Sequence, residues 1–188
     1  MEICVYGASS ATLRREFYDA AFAFGSELAR RGHGLIFGGG AEGLMGAAAR
    51  GAALRGGRIT GIAPSFFHVD GVLFEGCTEL ILTDTMAQRK QLLAERADAF
   101  AALPGGVGTL DELFEILTLR QLGLHGKPVA LLNTEGYYDP LLAMLDRAAS
   151  EGFMTDEARG LAAVFREAAP LLDHLETARR EARLLKNL

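Results

Sequence analysis

The sequence predicts an α/β fold in which helices cover both faces of a parallel sheet, within a single domain spanning residues 1–188. Two observations indicate this fold. Short runs that are apolar throughout alternate with segments whose apolar residues recur at helical spacing, and strands buried on both faces have that continuous apolar character. No long linker, internal repeat or change of composition divides the 188 residues, which suffice for one domain with a proper core.

The elements follow from these patterns in chain order. The first strand is the apolar run "EICVYGA", which ends in a glycine turn, and the first helix carries Phe17, Phe24 and Leu28 at helical spacing. A second apolar run enters the glycines at 38–40, and a helix rich in small residues follows it. The predicted strands are 2–8, 34–40, 58–64, 79–83, 98–106 and 127–133. The predicted helices are 12–31, 43–55, 85–96, 109–124, 137–151 and 168–186.

Charge and composition limit the classes of function. The formal net charge of −5 leaves no broad basic field for nucleic acid, although a few local cations could still hold a small anion. Two cysteines are too few for a disulfide scaffold, and no spacing resembles a zinc site. We predict neither a metal nor another cofactor. We find no signal peptide and no apolar stretch long enough for a membrane span, which favours a cytoplasmic protein.

Glycine is the outlier in the composition. The chain has 23 glycines among 188 residues, or about 12%, against a usual level of roughly 7%. They cluster around 38–46 and 105–108. Three loops rich in glycine and small residues, 7–10, 38–43 and 104–109, follow predicted strands of the same sheet. Because ligands of such sheets bind beyond the carboxyl ends of the strands, we expect these loops to surround a ligand.

The segment "GGGAEG" (38–43) satisfies the G-x-G-x-x-G pattern of dinucleotide-binding folds. It follows the second strand rather than the first, and the next strand ends without an acid that could hold a ribose. Tight packing of a strand against a helix explains these glycines equally well. A phosphate-binding G-x-x-x-x-G-K-[ST] loop is absent, since Lys90, Lys127 and Lys186 are the only lysines.

The segment "PGGVGTLDE" (104–112) allows two interpretations. Thr109 and Glu112 fit a capping box at the start of a helix, which requires no chemistry. The capping box leaves Gly105, Gly106 and Gly108 unexplained at the end of a central strand. Their N–H groups, with a helix amino terminus behind them, predict a cradle for an anion such as phosphate.

Positive charge is available in "MAQRK" (86–90). Arg89 and Lys90 are adjacent, so they cannot share one face of the predicted helix. We expect one of them to point into the cleft and the other to turn aside or reach its rim.

Four segments together, "GGGAEGLMG" (38–46), "MAQRK" (86–90), "PGGVGTLDE" (104–112) and "QLGLHGKPVALLNTEGYYDPLL" (121–142), resemble the LOG-type phosphoribohydrolases, a family often labelled "possible lysine decarboxylase". The resemblance covers almost the whole chain. It implies a Rossmann-like, doubly wound fold, usually assembled as a homodimer. The implied reaction is hydrolysis of the N-glycosidic bond of cytokinin riboside 5′-monophosphates, often also of AMP, to free base and ribose 5-phosphate.

The resemblance also implies site residues. Arg89 and Glu112 match the catalytic pair of the family. Lys90, the loop Gly106–Val107–Gly108–Thr109 and Thr118 match its substrate-binding positions, and the predicted substrate-binding set also includes Ser9, Gly39, Met86 and Gly105. Two departures are present: Gly71 lies roughly where family members commonly carry a glutamate that contacts the substrate, and the first loop is "YGASS" instead of the commoner C-G-S-S.

This chemistry suits the residues. Cleavage of a ribosyl–base bond builds positive charge on the sugar, and the carboxylate of Glu112 can stabilise that charge and orient the attacking water. Arg89 would position the substrate and ease departure of the base. Glu115 shares the helical face of Glu112 and either binds ribose hydroxyls or faces solvent.

Three other functions stay open at this point. The first is a nucleotide- or cofactor-binding carrier of the same fold, such as the molybdenum-cofactor carriers, and the second is a dinucleotide-dependent oxidoreductase. The third takes the label "lysine decarboxylase" literally, and it would need Lys90 as the Schiff-base lysine of a pyridoxal phosphate enzyme.

Helix 109–124 carries two apolar stripes. One stripe contains Leu110, Leu113, Leu117 and Leu124, and the other contains Ile116, Leu119 and Leu122. One stripe can cover the sheet, and the other predicts a homodimer interface.

Overall fold

The computed structural model of the chain describes residues 1–185. Within these residues, seven parallel strands form one sheet with the order β4-β3-β2-β1-β5-β6-β7. The strands are β1 (Glu2–Tyr6), β2 (Gly34–Phe37), β3 (Ile59–Pro64), β4 (Glu79–Thr83), β5 (Ala99–Ala102), β6 (Val129–Leu132) and β7 (Ala162–Phe165). The helices are α1 (Arg15–Arg30), α2 (Gly43–Leu54), α3 (Met86–Arg96), α4 (Val107–Gln121), α5 (Asp139–Ser150), α6 (Asp156–Arg159) and α7 (Ala168–Leu185). Single 3₁₀ turns occur at Ser65–Phe67 and Thr134–Gly136.

Alternating side chains of the strands divide the core into two layers. In β1, Ile3 and Val5 pack in the layer that α1, α2 and α7 cover, whereas Cys4 and Tyr6 pack in the layer of α3, α4 and α5. Both faces of the central strands are therefore buried from solvent, which explains their apolar sequences. The predicted parallel sheet with helices on both faces is confirmed. Burial also raises the pKa of the Cys4 thiol well above its ordinary value.

The strand order reverses between β1 and β5. The chain first proceeds outward from β1 through β2 and β3 to β4, and then returns to place β5 on the other side of β1. The loops after β1 and β5 therefore leave the sheet side by side in opposite directions, which opens a crevice at their carboxyl ends.

The structure differs from the predicted elements mainly at their ends. The strands predicted at 2–8, 34–40 and 98–106 end earlier, so most of the glycines lie in loops beyond the sheet. Strand β7 and the single-turn helix α6 were not predicted. Strand β7 is a half-buried edge strand of four residues, and so short an apolar run does not distinguish a strand from a helical segment. The predicted helix 168–186 is found as α7, and its last residue lies outside the described residues.

Among residues 1–185, no helix has both the length and the apolar character that crossing a bilayer requires.

Helices α1 and α2 cross at very close range. A Cβ atom on Gly25 of α1 would overlap the backbone carbonyl of Ala48 in α2. The absence of a side chain at Gly25 therefore lets the two backbones meet, and the alanines of α2 complete this contact beneath the sheet.

Gly25→Ala should lower the melting temperature, although alanine is the better helix former by about 1 kcal/mol. The added methyl must push α1 away from α2, and overpacking of this kind costs about 1–3 kcal/mol. Thermal denaturation measures the effect. Gly108→Ala is the control, because a Cβ at that helical position meets no atom within 4 Å. It should leave the melting temperature unchanged or raise it, and an equal rise for Gly25→Ala would contradict the packing argument.

Candidate active site

A cavity of about 650 Å³ lies at the carboxyl ends of the central strands, where the strand order reverses. The three predicted glycine loops meet around it, one each from the ends of β1, β2 and β5. Its volume is in the range of sites for small organic ligands. The lining residues are Gly7, Ala8, Ser9, Ser10, Gly38, Gly40, Glu42, Met45, Phe67, Gly71, Val72, Leu73, Met86, Arg89, Gly106, Gly108, Thr109, Asp111 and Glu112.

The loop after β5 differs from the predicted capping box. Helix α4 begins at Val107 with Gly106 as its N-cap residue, and no side chain caps it. Thr109 is thus the third helical residue rather than the N-cap, and Glu112 lies too far along the helix to reach back to its start. The capping-box interpretation was wrong, because the N-cap is a glycine three residues earlier, which leaves the first N–H groups of α4 free of side-chain caps. Those N–H groups adjoin the cavity, as an anion site requires.

Helix α3 delivers Arg89 to the cavity. A capping box that was not predicted fixes its start. The backbone N–H of Gln88 donates to Thr85 Oγ1 over 3.2 Å, and the backbone N–H of Thr85 donates to Gln88 Oε1 over 3.2 Å. Arg89 lies one residue later and is only 7% exposed.

Arg89 and Glu112 form a buried ion pair. The Nη1 atom of Arg89 donates to Oε1 of Glu112 over 2.5 Å, and its Nε atom donates to the carbonyl of Ile62 over 3.2 Å. The pair therefore joins α3, α4 and the end of β3. Gly38 makes room for it, because a Cβ on Gly38 would overlap Nη2 of Arg89.

Burial and pairing act in opposite directions on Glu112. Burial raises the pKa of its carboxyl group, and the adjacent Arg89 guanidinium opposes that rise. An ionised pair carries no net charge, so this part of the cavity offers neither a strong positive nor a strong negative field to a ligand. Attraction for an anion must therefore come mainly from the N–H groups of the loop after β5.

Lys90 is not among the cavity-lining residues, but it pairs with Asp111, which is, so it agrees with the expectation that one member of the Arg89–Lys90 pair turns aside or reaches the rim. Its Nζ atom lies 3.1 Å from Asp111 Oδ2 and 2.8 Å from Glu115 Oε2. The hydrogen bond to Glu115 contributes most to a raised pKa of Lys90, and the contact with Asp111 adds to it, so both favour the charged form. A Schiff-base lysine needs the neutral amine, so the structure gives no support to Lys90 in a pyridoxal phosphate enzyme.

The predicted site residues fall into two groups. Seven of them line the cavity: Ser9, Met86, Arg89, Gly106, Gly108, Thr109 and Glu112. Five do not line it: Gly39, Lys90, Gly105, Val107 and Thr118. Thr118 donates from Oγ1 to the carbonyl of Phe114 over 2.7 Å and lines a separate cavity of about 80 Å³ between α4 and α5. Participation of all twelve in binding or catalysis stays a prediction.

Several lining residues were missed by sequence reasoning. Phe67, Val72 and Leu73 come from the connection between β3 and β4, to which the sequence assigned no element. Gly71, noted as a departure from the family, lies in the same connection and lines the cavity. Glu42 and Asp111 are two further acids in the lining. The segment of Glu42 drew attention only for its glycines, and Asp111 was passed over beside its neighbour Glu112.

No group of three or more His, Cys, Asp or Glu side chains that could hold a metal ion occurs among the described residues.

Comparison with known proteins assigns the family. The family model described as "Possible lysine decarboxylase" matches residues 45–175. The cytokinin riboside 5′-monophosphate phosphoribohydrolase LOG of Oryza sativa subsp. japonica is 45% identical over 157 residues, covering 84% of this chain and 65% of the rice protein. The cytokinin riboside 5′-monophosphate phosphoribohydrolase LOG1 of Arabidopsis thaliana is 43% identical over 175 residues, covering 93% and 82% of the two chains.

Solved structures share the fold at lower identity. The molybdenum cofactor binding protein from Rippkaea orientalis superposes with a TM-score of 0.73 at 22% identity, over 94% of this chain and 95% of that one. The Moco carrier protein from Chlamydomonas reinhardtii superposes with a TM-score of 0.73 at 24% identity, over 96% of this chain and 98% of that one. These structures support the fold alone. Because the family model matches well over half of the chain and the plant relatives exceed 40% identity, the chain belongs to the LOG family of phosphoribohydrolases, also described as possible lysine decarboxylases.

Proposed function

We propose that this protein hydrolyses the N-glycosidic bond of nucleoside 5′-monophosphates, either cytokinin riboside 5′-monophosphates or AMP or both, to free base and ribose 5-phosphate. The observation that carries the proposal is the Arg89–Glu112 pair, which lines the same cavity as the exposed amino terminus of α4. The names of the plant relatives support the same reaction class.

The first step of the proposal is phosphate binding. Gly106 and Gly108 have no side chain, and a Cβ at either position would meet no atom within 4 Å, so the backbone there is open to a ligand. The free N–H groups and the positive end of the α4 dipole suit a phosphate dianion. The 5′-phosphate would anchor the substrate at this end of the cavity.

The second step places the sugar beside Glu112. From Val107 to Glu112 the helix rises by about 7.5 Å at 1.5 Å per residue. That length is similar to the reach of a ribose 5-phosphate from its phosphorus to its anomeric carbon. A phosphate at the start of α4 would therefore bring the anomeric carbon near the Glu112 carboxylate.

The third step is cleavage. As the bond to the base breaks, its electron pair leaves with the base and positive charge develops on the sugar. The Glu112 carboxylate would stabilise that charge and orient a water molecule, whose oxygen bonds to the anomeric carbon and whose proton balances the departing base. Arg89 would hold the carboxylate in place and stabilise the negative charge on the base.

A carrier of the same fold that binds a nucleotide or cofactor without turnover is the alternative. Incubation of the purified protein with AMP, isopentenyladenosine monophosphate and their nucleosides, followed by measurement of free base, distinguishes the two. Release of base from the monophosphates supports the hydrolase, and retention of intact ligand supports the carrier.

Glu112→Gln should lower kcat for AMP by about 10²–10⁴-fold, because the amide cannot stabilise the developing positive charge. The matched control is Glu115→Gln, the same substitution one turn along α4 at a residue outside the cavity lining. It should retain most activity. An active Glu112→Gln variant would assign Glu112 a structural role only.

Arg89→Met should abolish turnover and destabilise the fold by about 3–5 kcal/mol, because it leaves a buried carboxylate without its partner. In the wild type, the Arg89 guanidinium opposes the rise in the Glu112 pKa that burial causes. Without the guanidinium, the folded-state pKa of Glu112 rises further above its unfolded value. A raised folded-state pKa gives stability at low pH that is lost as pH rises through it. The destabilisation, measured by urea denaturation, should therefore be larger at about pH 8 than at about pH 5.

The double variant Arg89→Met with Glu112→Leu separates catalysis from folding. It removes both charges, so stability should recover relative to Arg89→Met while activity stays absent. A double variant less stable than Arg89→Met would contradict the assignment of the pair as a buried charge pair.

We also propose a homodimer through the face formed by α4, α5 and the residues that follow them. Five large apolar side chains on these elements are exposed: Phe114, Leu122, Leu124, Met144 and Phe153. Helices α4 and α5 are neighbours, and exposed apolar side chains on neighbouring elements of a single chain indicate an interface.

Light scattering should give the mass of a dimer at micromolar concentration. Leu122→Glu should produce a monomer, because it places a charge in the apolar interface. Leu54→Glu is the control, since Leu54 is 68% exposed, close to the 66% of Leu122, and lies at the end of α2. A wild-type monomer, or equal loss of the dimer in both variants, would refute this interface.

A further inference from the structure

Each backbone carbonyl from Leu103 to Gly106 accepts a hydrogen bond from the protein. The donors are Tyr138 Oη to Leu103 (2.6 Å), Ala8 N to Pro104 (3.0 Å), Tyr137 Oη to Gly105 (2.6 Å) and Leu110 N to Gly106 (3.0 Å). The four carbonyl oxygens of this loop are thereby engaged. The groups left for a ligand are N–H donors, which is the polarity that an anion requires.

The bond from Tyr137 acts on the peptide unit between Gly105 and Gly106. No cis peptide bond occurs in the described chain, so the carbonyl of Gly105 and the N–H of Gly106 point in opposite directions. The carbonyl of Gly105 points to Tyr137, which does not line the cavity, whereas Gly106 lines it. Holding this carbonyl therefore directs the Gly106 N–H toward the cavity.

This peptide unit needs such a restraint. It joins two glycines, and without Cβ atoms on either side the unit can rotate at little steric cost. Rotation would turn the carbonyl oxygen toward the ligand and replace an attractive dipole by a repulsive one.

Tyr137 is 43% exposed, and its turn and a ring contact set its position. The turn before it includes Glu135 at φ 54°, a left-handed conformation that costs a non-glycine residue energy. The Asn133 side chain stabilises the turn: its Oδ1 atom accepts from the Tyr138 amide over 2.7 Å, and its Nδ2 atom donates to Asp139 Oδ1 over 2.7 Å. The ring of Tyr137 packs edge-on against Phe17 of α1.

We propose that Tyr137 is a positioning residue for phosphate recognition, which fixes the Gly105–Gly106 peptide so that its N–H faces the 5′-phosphate. This inference rests on the proposed function, in which the loop after β5 holds that phosphate. Tyr137 contacts the loop from behind and does not touch the substrate.

Tyr138 provides a natural comparison. Its hydroxyl also donates to a loop carbonyl, but the peptide after Leu103 ends at Pro104, which has no N–H to direct. Tyr138 is 1% exposed, so loss of its hydroxyl leaves a buried carbonyl unsatisfied. Its role is structural.

The test compares Tyr137→Phe with Tyr138→Phe. Calorimetry measures the Kd of ribose 5-phosphate, kinetics with AMP give KM and kcat, and thermal denaturation gives Tm. For Tyr137→Phe, Kd and KM should each rise about tenfold, equivalent to about 1.4 kcal/mol, with a smaller change in kcat. Its Tm should fall by less than that of Tyr138→Phe, because Tyr137 is 43% exposed, so that solvent can reach the freed carbonyl, and its ring contacts remain. For Tyr138→Phe, Tm should fall by roughly 3–10 °C while Kd is retained.

The outcomes separate this inference from the proposed function. A wild-type protein that binds ribose 5-phosphate but releases no base would overturn the proposed hydrolysis, and the Kd comparison would still decide the role of Tyr137. An unchanged Kd in Tyr137→Phe, or an equal loss of affinity in both variants, would overturn the positioning role. A wild-type protein that does not bind ribose 5-phosphate would overturn it as well.

Discussion

The ion pair between Arg89 and Glu112 is the interaction on which the rest of the cavity depends. It connects two helices that follow different strands, and its geometry is supported from several directions. The capping box of α3 sets the position of Arg89, the carbonyl of Ile62 accepts from its Nε atom, and Gly38 leaves room for its guanidinium. A buried pair of charges is costly to form unless such supports exist. Gly38 and the capping box of α3 are thus requirements of the pair.

The cavity divides its tasks between backbone and side chains. The start of α4 offers N–H groups without side chains, and the buried pair offers a carboxylate within the same helix. Because both belong to α4, their separation is fixed by helical geometry rather than by a flexible loop. Such a rigid spacing suits a substrate whose anionic end and reactive carbon lie a fixed number of bonds apart.

The sequence predicted the sheet and its helices because burial on both faces leaves a strong local pattern in strands such as β1. It missed β7, because an apolar run of four residues does not by itself distinguish a strand from a helical segment. Of the two interpretations of the segment 104–112, the capping box was wrong: that motif is local, whereas the partner of Glu112 lies on α3, 23 residues away. Matching to family motifs gave Arg89 and Glu112 as candidate residues, but it did not give their direct contact. The bonds from Tyr137 and Tyr138 to the loop were equally hidden, because a pattern of residue types does not reveal which distant carbonyl a hydroxyl meets.

The neutral ion pair inside a chain of net charge −5 has a consequence for kinetics. Under the proposed function, a phosphorylated ligand would approach through a negative long-range field, and attraction would begin only at the N–H groups of α4. Dissolved ions screen that repulsion over a Debye length of about 8–10 Å. Added salt should therefore accelerate encounter with such a ligand, the reverse of what electrostatically steered enzymes show.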